Sequence, residues 1–211
     1  MKTKLFPLTR IFYGFALCMW LPLKAYASTP EPLTPEAQTL LEWIQKSQDN
    51  GKAAFAILDK RQAQLWLFDA QAKEIGQTPV LVGAATGDAS VPGIGERPIQ
   101  EIKPHERTTP AGRFYLEPGK NAEGEDIFWV DYDAALSMHR VRAKNSEKRL
   151  QRLASPTPKD NRISYGCINI PVAFYDDRLK PTLTAPRGVL YVLPENQPLQ
   201  SLFNSEPSPI P

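Results

Sequence analysis

The amino-acid sequence predicts a mainly β domain, a sandwich or barrel, with one or two helices. Three observations carry this expectation. The apolar runs are short and bounded by turn-forming residues, with little repetition at helical spacing. Most of the 21 prolines fall outside those runs, in loops and turns. Hydrophobic residues make up 42% of the 211, enough for one real core in one domain.

The first 27 residues read as a secretory signal peptide. Lys2, Lys4 and Arg10 give a positive start, and Ile11 to Leu23 is an apolar stretch too short for a comfortable membrane span. Ala25-Tyr26-Ala27 is a small-x-small cleavage site. Leu17 before Cys18 is too bulky for lipoprotein processing, so Cys18 is expected to leave with the signal. The alternative is an uncleaved anchor, the one route to a membrane. Cleavage removes Lys2, Lys4, Arg10 and Lys24 and no acid, which turns the formal charge from +2 to −2. Nucleic-acid binding then lacks its electrostatic footprint. Cys167 stays as a lone thiol in an oxidising compartment, either buried and inert or reactive.

Residues 28–52 form a Pro-containing lead and a helix. Thr34 is a good N-cap, Pro35 suits the first helical position, and Asn50-Gly51 is a stop signal. Leu40, Leu41 and Ile44 form its apolar face. Residues 53–193 form the main domain. Ala54 to Leu58 and Gln64 to Phe68 read as a hairpin, and Thr78 to Gly83 as a third strand. Gly87 to Pro110 is a long loop. Strands return at Gly112 to Leu116, Ile127 to Tyr132 and Leu136 to Val141. A polar, basic stretch covers 142–161. Another apolar piece begins at Ile168, Pro171 to Lys180 is a short helix, and Gly188 to Leu193 is a final strand. Residues 194–211 are expected to be a disordered tail. No Gly-rich phosphate loop follows any strand. Glu123, Glu125 and Asp126, with Asp131 and Asp133, lack calcium-ligand spacing and read as solvated turns.

The segment that carries chemistry is Ser164-Tyr165-Gly166-Cys167-Ile168-Asn169. Gly166 allows backbone angles that other residues resist, so the thiol can stand at the mouth of a cleft. Backbone N–H groups around it can face a developing oxyanion. A thiol nucleophile needs a base or a depressed pKa. His139 ends an apolar strand that can aim it, whereas His105 lies in the long loop.

This segment resembles the active-site signature of the L,D-transpeptidase catalytic domain, the YkuD-like family: a His, a spacer, then Ser/Thr-His-Gly-Cys-apolar-Asn/Arg. Here it is His139, a spacer, and Ser164 to Asn169. Thr109-Pro110-Ala111-Gly112-Arg113-Phe114 is similar to the family's Thr-Pro-x-Gly-x-Phe segment. The resemblance spans roughly residues 53–193. It departs at Tyr165, where most members carry a second histidine, and in the 28 positions from His139 to Cys167, longer than usual.

The resemblance implies the family's β-rich fold and a cysteine transpeptidase acting on peptidoglycan stem peptides, with neither metal nor organic cofactor; with the signal peptide, the expectation is a monomer that is periplasmic or otherwise exported and associated with the cell wall. Cys167 would be the nucleophile and His139 its base, oriented by the carbonyl of Arg140. Ser164, Tyr165 and Gly166 would form the oxyanion turn, and Arg162 and Asn169 would bind substrate. From the residues themselves, Arg140 through Arg162 carry a local net charge of +6, which suits a basic lid over substrate carboxylates or a solvated loop. A hydrolase of the same fold and an inactive wall-binding protein are the alternatives.

Overall fold

The computed structural model describes residues 31–185 and 187–203. The signal-peptide reading lies outside them. The fold is mostly β with few helices. A five-stranded sheet runs in the order β3-β2-β1-β11-β5 and a four-stranded sheet in the order β10-β8-β7-β6, with a two-stranded pair β4-β9 beside them. The strands are β1 Phe55–Asp59, β2 Gln64–Phe68, β3 Glu74–Pro79, β4 Val82–Gly83, β5 Gly112–Tyr115, β6 Glu117–Lys120, β7 Asp126–Asp131, β8 Leu136–Arg140, β9 Arg162–Ser164, β10 Ile168–Ile170 and β11 Val189–Val192.

The large sheet is buried on both faces, which explains why β1, β2 and β11 read as continuous apolar runs. Ala56, Leu58, Leu65, Leu67, Leu190 and Val192 point inward to meet Phe128, Met138, Ile168 and Ile170 of the smaller sheet. Phe55, Ile57, Trp66, Val189 and Tyr191 point outward and are covered by α1, Pro35–Ser47. Thr34 caps α1 as expected, its hydroxyl accepting from the Ala37 amide at 3.3 Å. The helix stops before Asn50-Gly51, because Gln48 takes the left-handed conformation at φ 57°.

Three expectations need correction. The third strand is Glu74–Pro79, not Thr78 to Gly83, because Pro79 ends its pairing with β2 and the chain crosses to pair Val82–Gly83 with β9. The first part of the expected disordered tail is packed. Phe203, on a short helix Gln200–Phe203, is 3% exposed beside Tyr191 and Trp43. The basic stretch 142–161 folds into 3-10 turns and a short helix, Arg149–Leu153, seated on Leu81, Val141 and Ile163.

Candidate functional site

Strand pairing brings the two ends of the sequence motif together. β10 lies parallel to β8, with Ile168 opposite Met138 and Asn169 opposite His139. Cys167, one residue before β10, therefore stands level with Ser137. Successive side chains on a strand alternate faces, so Ser137 and His139 share one face of β8 while Leu136 and Met138 enter the core. Cys167 as a residue is partly exposed. Its sulfur lies 3.6 Å from Ser137 Oγ and 3.7 Å from the Ala135 carbonyl oxygen.

The ring of His139 is fixed through Nδ1, 2.8 Å from the Arg140 carbonyl oxygen. A carbonyl can only accept, so Nδ1 carries the proton and Nε2 of the neutral ring keeps its lone pair. Burial pushes the Cys167 thiol up, but the nearby side chains of His139 and Ser137 together bring it below the ordinary thiol range. That environment suits a nucleophile. Removing the Ser137 hydroxyl takes away part of this pull. Ser137→Ala is expected to raise the thiol pKa and to slow alkylation by iodoacetamide at neutral pH several-fold, while alkylation at high pH stays at the parent rate. Equal rates at both pH values would show that Ser137 does not act on the sulfur.

The turn before the thiol is braced from three sides. Ser164 Oγ donates to the Cys167 carbonyl at 2.7 Å and accepts from the Gly166 amide at 3.1 Å. This corrects one expectation, since the Gly166 N–H is engaged and is not open to an oxyanion. The Cys167 amide has no partner among the described residues. Gly166 itself sits at φ 133°, and a Cβ there would come within 2.8 Å of the Thr108 carbonyl oxygen. Thr109 Oγ1 donates to the Gly166 carbonyl at 2.7 Å and accepts from the Gly83 amide at 2.9 Å. Gly83 is needed there because a Cβ would lie 2.3 Å from the Arg107 carbonyl oxygen. The Thr-Pro segment of the sequence is thus the buttress of the cysteine turn. Arg107 stacks on the ring of Tyr165, with its guanidinium carbon 3.9 Å from the ring centroid.

Two candidate substrate contacts are placed otherwise. Asn169 is fully buried. Its Nδ2 donates to the Cys167 carbonyl at 3.1 Å, and its Oδ1 accepts from Arg149 at 2.6 Å. It braces the Cys167 backbone from inside the protein, closed off from a substrate. Arg162 donates to the carbonyls of Lys60 and Ala85 and pairs with Glu195, so its charge is spent inside the protein. The basic stretch is matched in part, with Lys148, Arg152 and Lys159 making no ion pair among the described residues. Arg140 pairs with Asp126 and Asp176, Arg142 with Glu123 and Glu125, and Arg149 with Glu147. The acidic run near residue 125, read as a solvated turn, supplies several of these partners. A free +6 lid does not exist. His105 lines an open cleft with Lys159 and Arg162, and Cys167 is not among the residues that line it.

Behind the turn lies a buried ionic knot that sequence reading missed. Lys60 is 1% exposed. Its Nζ donates to Asp88 Oδ1 at 3.0 Å and to the Thr109 carbonyl at 2.9 Å, and lies 3.8 Å from Glu195. The knot ties the long loop, β9 and the 194–197 segment to the buttress. Burial lowers the Lys60 pKa to about 8 despite Asp88. Between about 8 and 10.5 the unfolded chain binds a proton that the folded chain does not, so stability rises with pH across this window. The difference in urea-unfolding free energy between the parent and Lys60→Met should grow in the parent's favour from pH 8 to 10.5. At 1.36 kcal/mol per pKa unit the gain is at most ~3 kcal/mol. A flat difference would contradict the assignment.

Among the described residues no helix is long and apolar enough to cross a membrane, and no cluster of His, Cys, Asp and Glu has the makings of a metal site. No family model matches the sequence, and no curated protein does. Solved structures do show similarity. The catalytic domain of an L,D-transpeptidase from E. faecium is 15% identical at a TM-score of 0.39, over 67% of this chain and 98% of that one. The helical cell shape determining protein Pgp2 (K307A mutant) from Campylobacter jejuni is 12% identical at 0.43, over 78% of this chain and 58% of that one. An L,D-transpeptidase from Stackebrandtia nassauensis is 15% identical at 0.40, over 78% and 69%.

Proposed function

We propose that this chain is an exported cysteine acyltransferase of the L,D-transpeptidase type that acts on peptidoglycan stem peptides. The observation that carries the reading is the thiol of Cys167, lowered in pKa, on a turn beside a strand whose His139 holds its Nδ1 proton on a backbone carbonyl. That is the nucleophile, base and orienter arrangement of covalent acyl transfer. The sequence signature around both residues supports the substrate class.

In this mechanism His139 Nε2 takes the thiol proton, and the thiolate attacks the carbonyl of the third stem residue. The Cys167 amide faces the oxyanion as the open backbone donor of the turn. His139 then gives its proton to the departing amine of D-Ala, leaving a thioester on Cys167. The amine of a second stem attacks the thioester, loses its proton to His139 and frees the thiol.

Incubation of the mature chain with purified disaccharide tetrapeptides tests the reading by mass spectrometry. Expected are a covalent adduct on Cys167 lacking D-Ala and cross-linked dimers. Tripeptide without dimers would assign the hydrolase outcome to the same site. No adduct and no product would sink the enzymatic reading.

A further inference from the structure

A peptide substrate rich in free carboxylates calls for an unspent cation beside the nucleophile. Arg140, Arg142, Arg149 and Arg162 are all paired with carboxylates of the protein. Arg107 is the arginine placed over the ring of Tyr165, in the turn that carries Cys167. It makes no ion pair among the described residues. Its Nε and Nη2 donate to the Ile102 carbonyl at 3.3 and 3.1 Å, and Nη1 has no partner there.

Its place is fixed by the cysteine turn. Arg107 lies over the ring of Tyr165, the Thr108 carbonyl abuts Gly166, and Thr109 bonds the Gly166 carbonyl. Three consecutive residues of the loop thus line three aspects of the turn that carries Cys167. Tyr165 precedes Cys167 by two positions, a span of at most about 7 Å of chain. Both Arg107 and Tyr165 are partly exposed. The ring and the Ile102 carbonyl hold the guanidinium, and a held fork suits a carboxylate better than a swinging ammonium does.

We propose that Arg107, held over the ring of Tyr165, is the carboxylate-binding residue beside the cysteine turn and selects peptides with a free carboxylate near the scissile amide. The proposal rests on the functional reading above for its substrate class. The Ile102 carbonyl and the Tyr165 ring hold the guanidinium in place before substrate arrives, so little side-chain freedom is lost on binding. Tyr165, the departure from the family signature, supplies the platform.

Binding to the Cys167→Ala chain tests this without turnover. Calorimetry would use three disaccharide tetrapeptides: the free acid, one amidated at the terminal carboxyl, and one amidated at the side-chain carboxyl of the third residue. One amidation is expected to weaken binding 10- to 100-fold and thereby to name the carboxylate. Adding Arg107→Gln should weaken the free acid by the same factor and leave that amidated peptide unchanged. Arg107→Lys should recover part of the preference, and it carries the comparison if the glutamine variant does not fold. Tyr165→Phe should behave as the parent, and Tyr165→Leu as a weakened Arg107. If Arg107→Gln keeps the preference, or weakens all three peptides alike, the proposal is wrong. Wild-type turnover with an unchanged preference in Arg107→Gln would overturn this proposal alone. Failure of every peptide to bind would overturn the substrate class as well.

Discussion

Cys167→Ala should abolish acyl transfer, and His139→Ala should lower it by roughly 10²–10⁴, the range a positioned general base supplies. Both variants should unfold close to the parent midpoint, because Cys167 and His139 are partly exposed residues outside the core clusters. The two losses differ in their pH behaviour. In the parent, burial raises the thiol pKa, and His139 and Ser137 overcome it, so the net direction is down. Without His139 the burial contribution is opposed by Ser137 alone. The alkylation profile of His139→Ala should therefore move to higher pH, and its rate should recover in alkaline solution as hydroxide does what the imidazole did. A profile that stays in place in His139→Ala would mean that the ring and the sulfur do not communicate. Product formed by Cys167→Ala would dispose of the covalent mechanism.

How much of this was legible in the sequence depended on what each residue packs against. The interior strands were readable because both faces of the large sheet are covered, by the smaller sheet and by α1, and so demand unbroken apolar runs. β3 and β6 escaped because they are edge strands. Glu74–Pro79 and Glu117–Lys120 join the sheets largely through backbone hydrogen bonds and need no apolar alternation. The thiol and the imidazole could be picked from their residue types. Their supports could not, because they come from distant chain segments. Thr109 reaches Gly166 across 57 positions, and Arg149 reaches Asn169 from the basic stretch. Ser137 left a faint signal, sharing a strand face with His139 at a spacing of two. Counting charges misled for a related reason. Arg142 and Arg162 lie between His139 and Cys167 in sequence but find their partners at Glu125 and Glu195.

Gly166→Ala should be the most damaging conservative substitution in the turn. Two independent costs meet there. At φ 133° a side-chain-bearing residue is strained whatever the space, a cost on the order of 1–3 kcal/mol. The new methyl would also stand 2.8 Å from the Thr108 carbonyl oxygen, which is backbone and cannot rotate away. Relief requires moving either the Thr108–Thr109 buttress or the turn itself. Movement of the buttress breaks the Thr109 bonds to Gly166 and Gly83 and tugs on Lys60, which donates to the Thr109 carbonyl. Movement of the turn displaces Cys167 from Ser137 and His139, and a misplacement of about 1 Å can cost 10²-fold in rate. Gly166→Ala is therefore expected to lower both the urea midpoint and kcat/KM, the latter by about 10² or more. Gly93→Ala is the control. Its φ is 69°, but nothing lies within 4 Å of its Cβ position, so it carries the conformational cost without the collision. It should lose a little stability and keep its activity. If Gly166→Ala matches Gly93→Ala in both measurements, the close approach of Thr108 to the turn is not what holds the thiol in place.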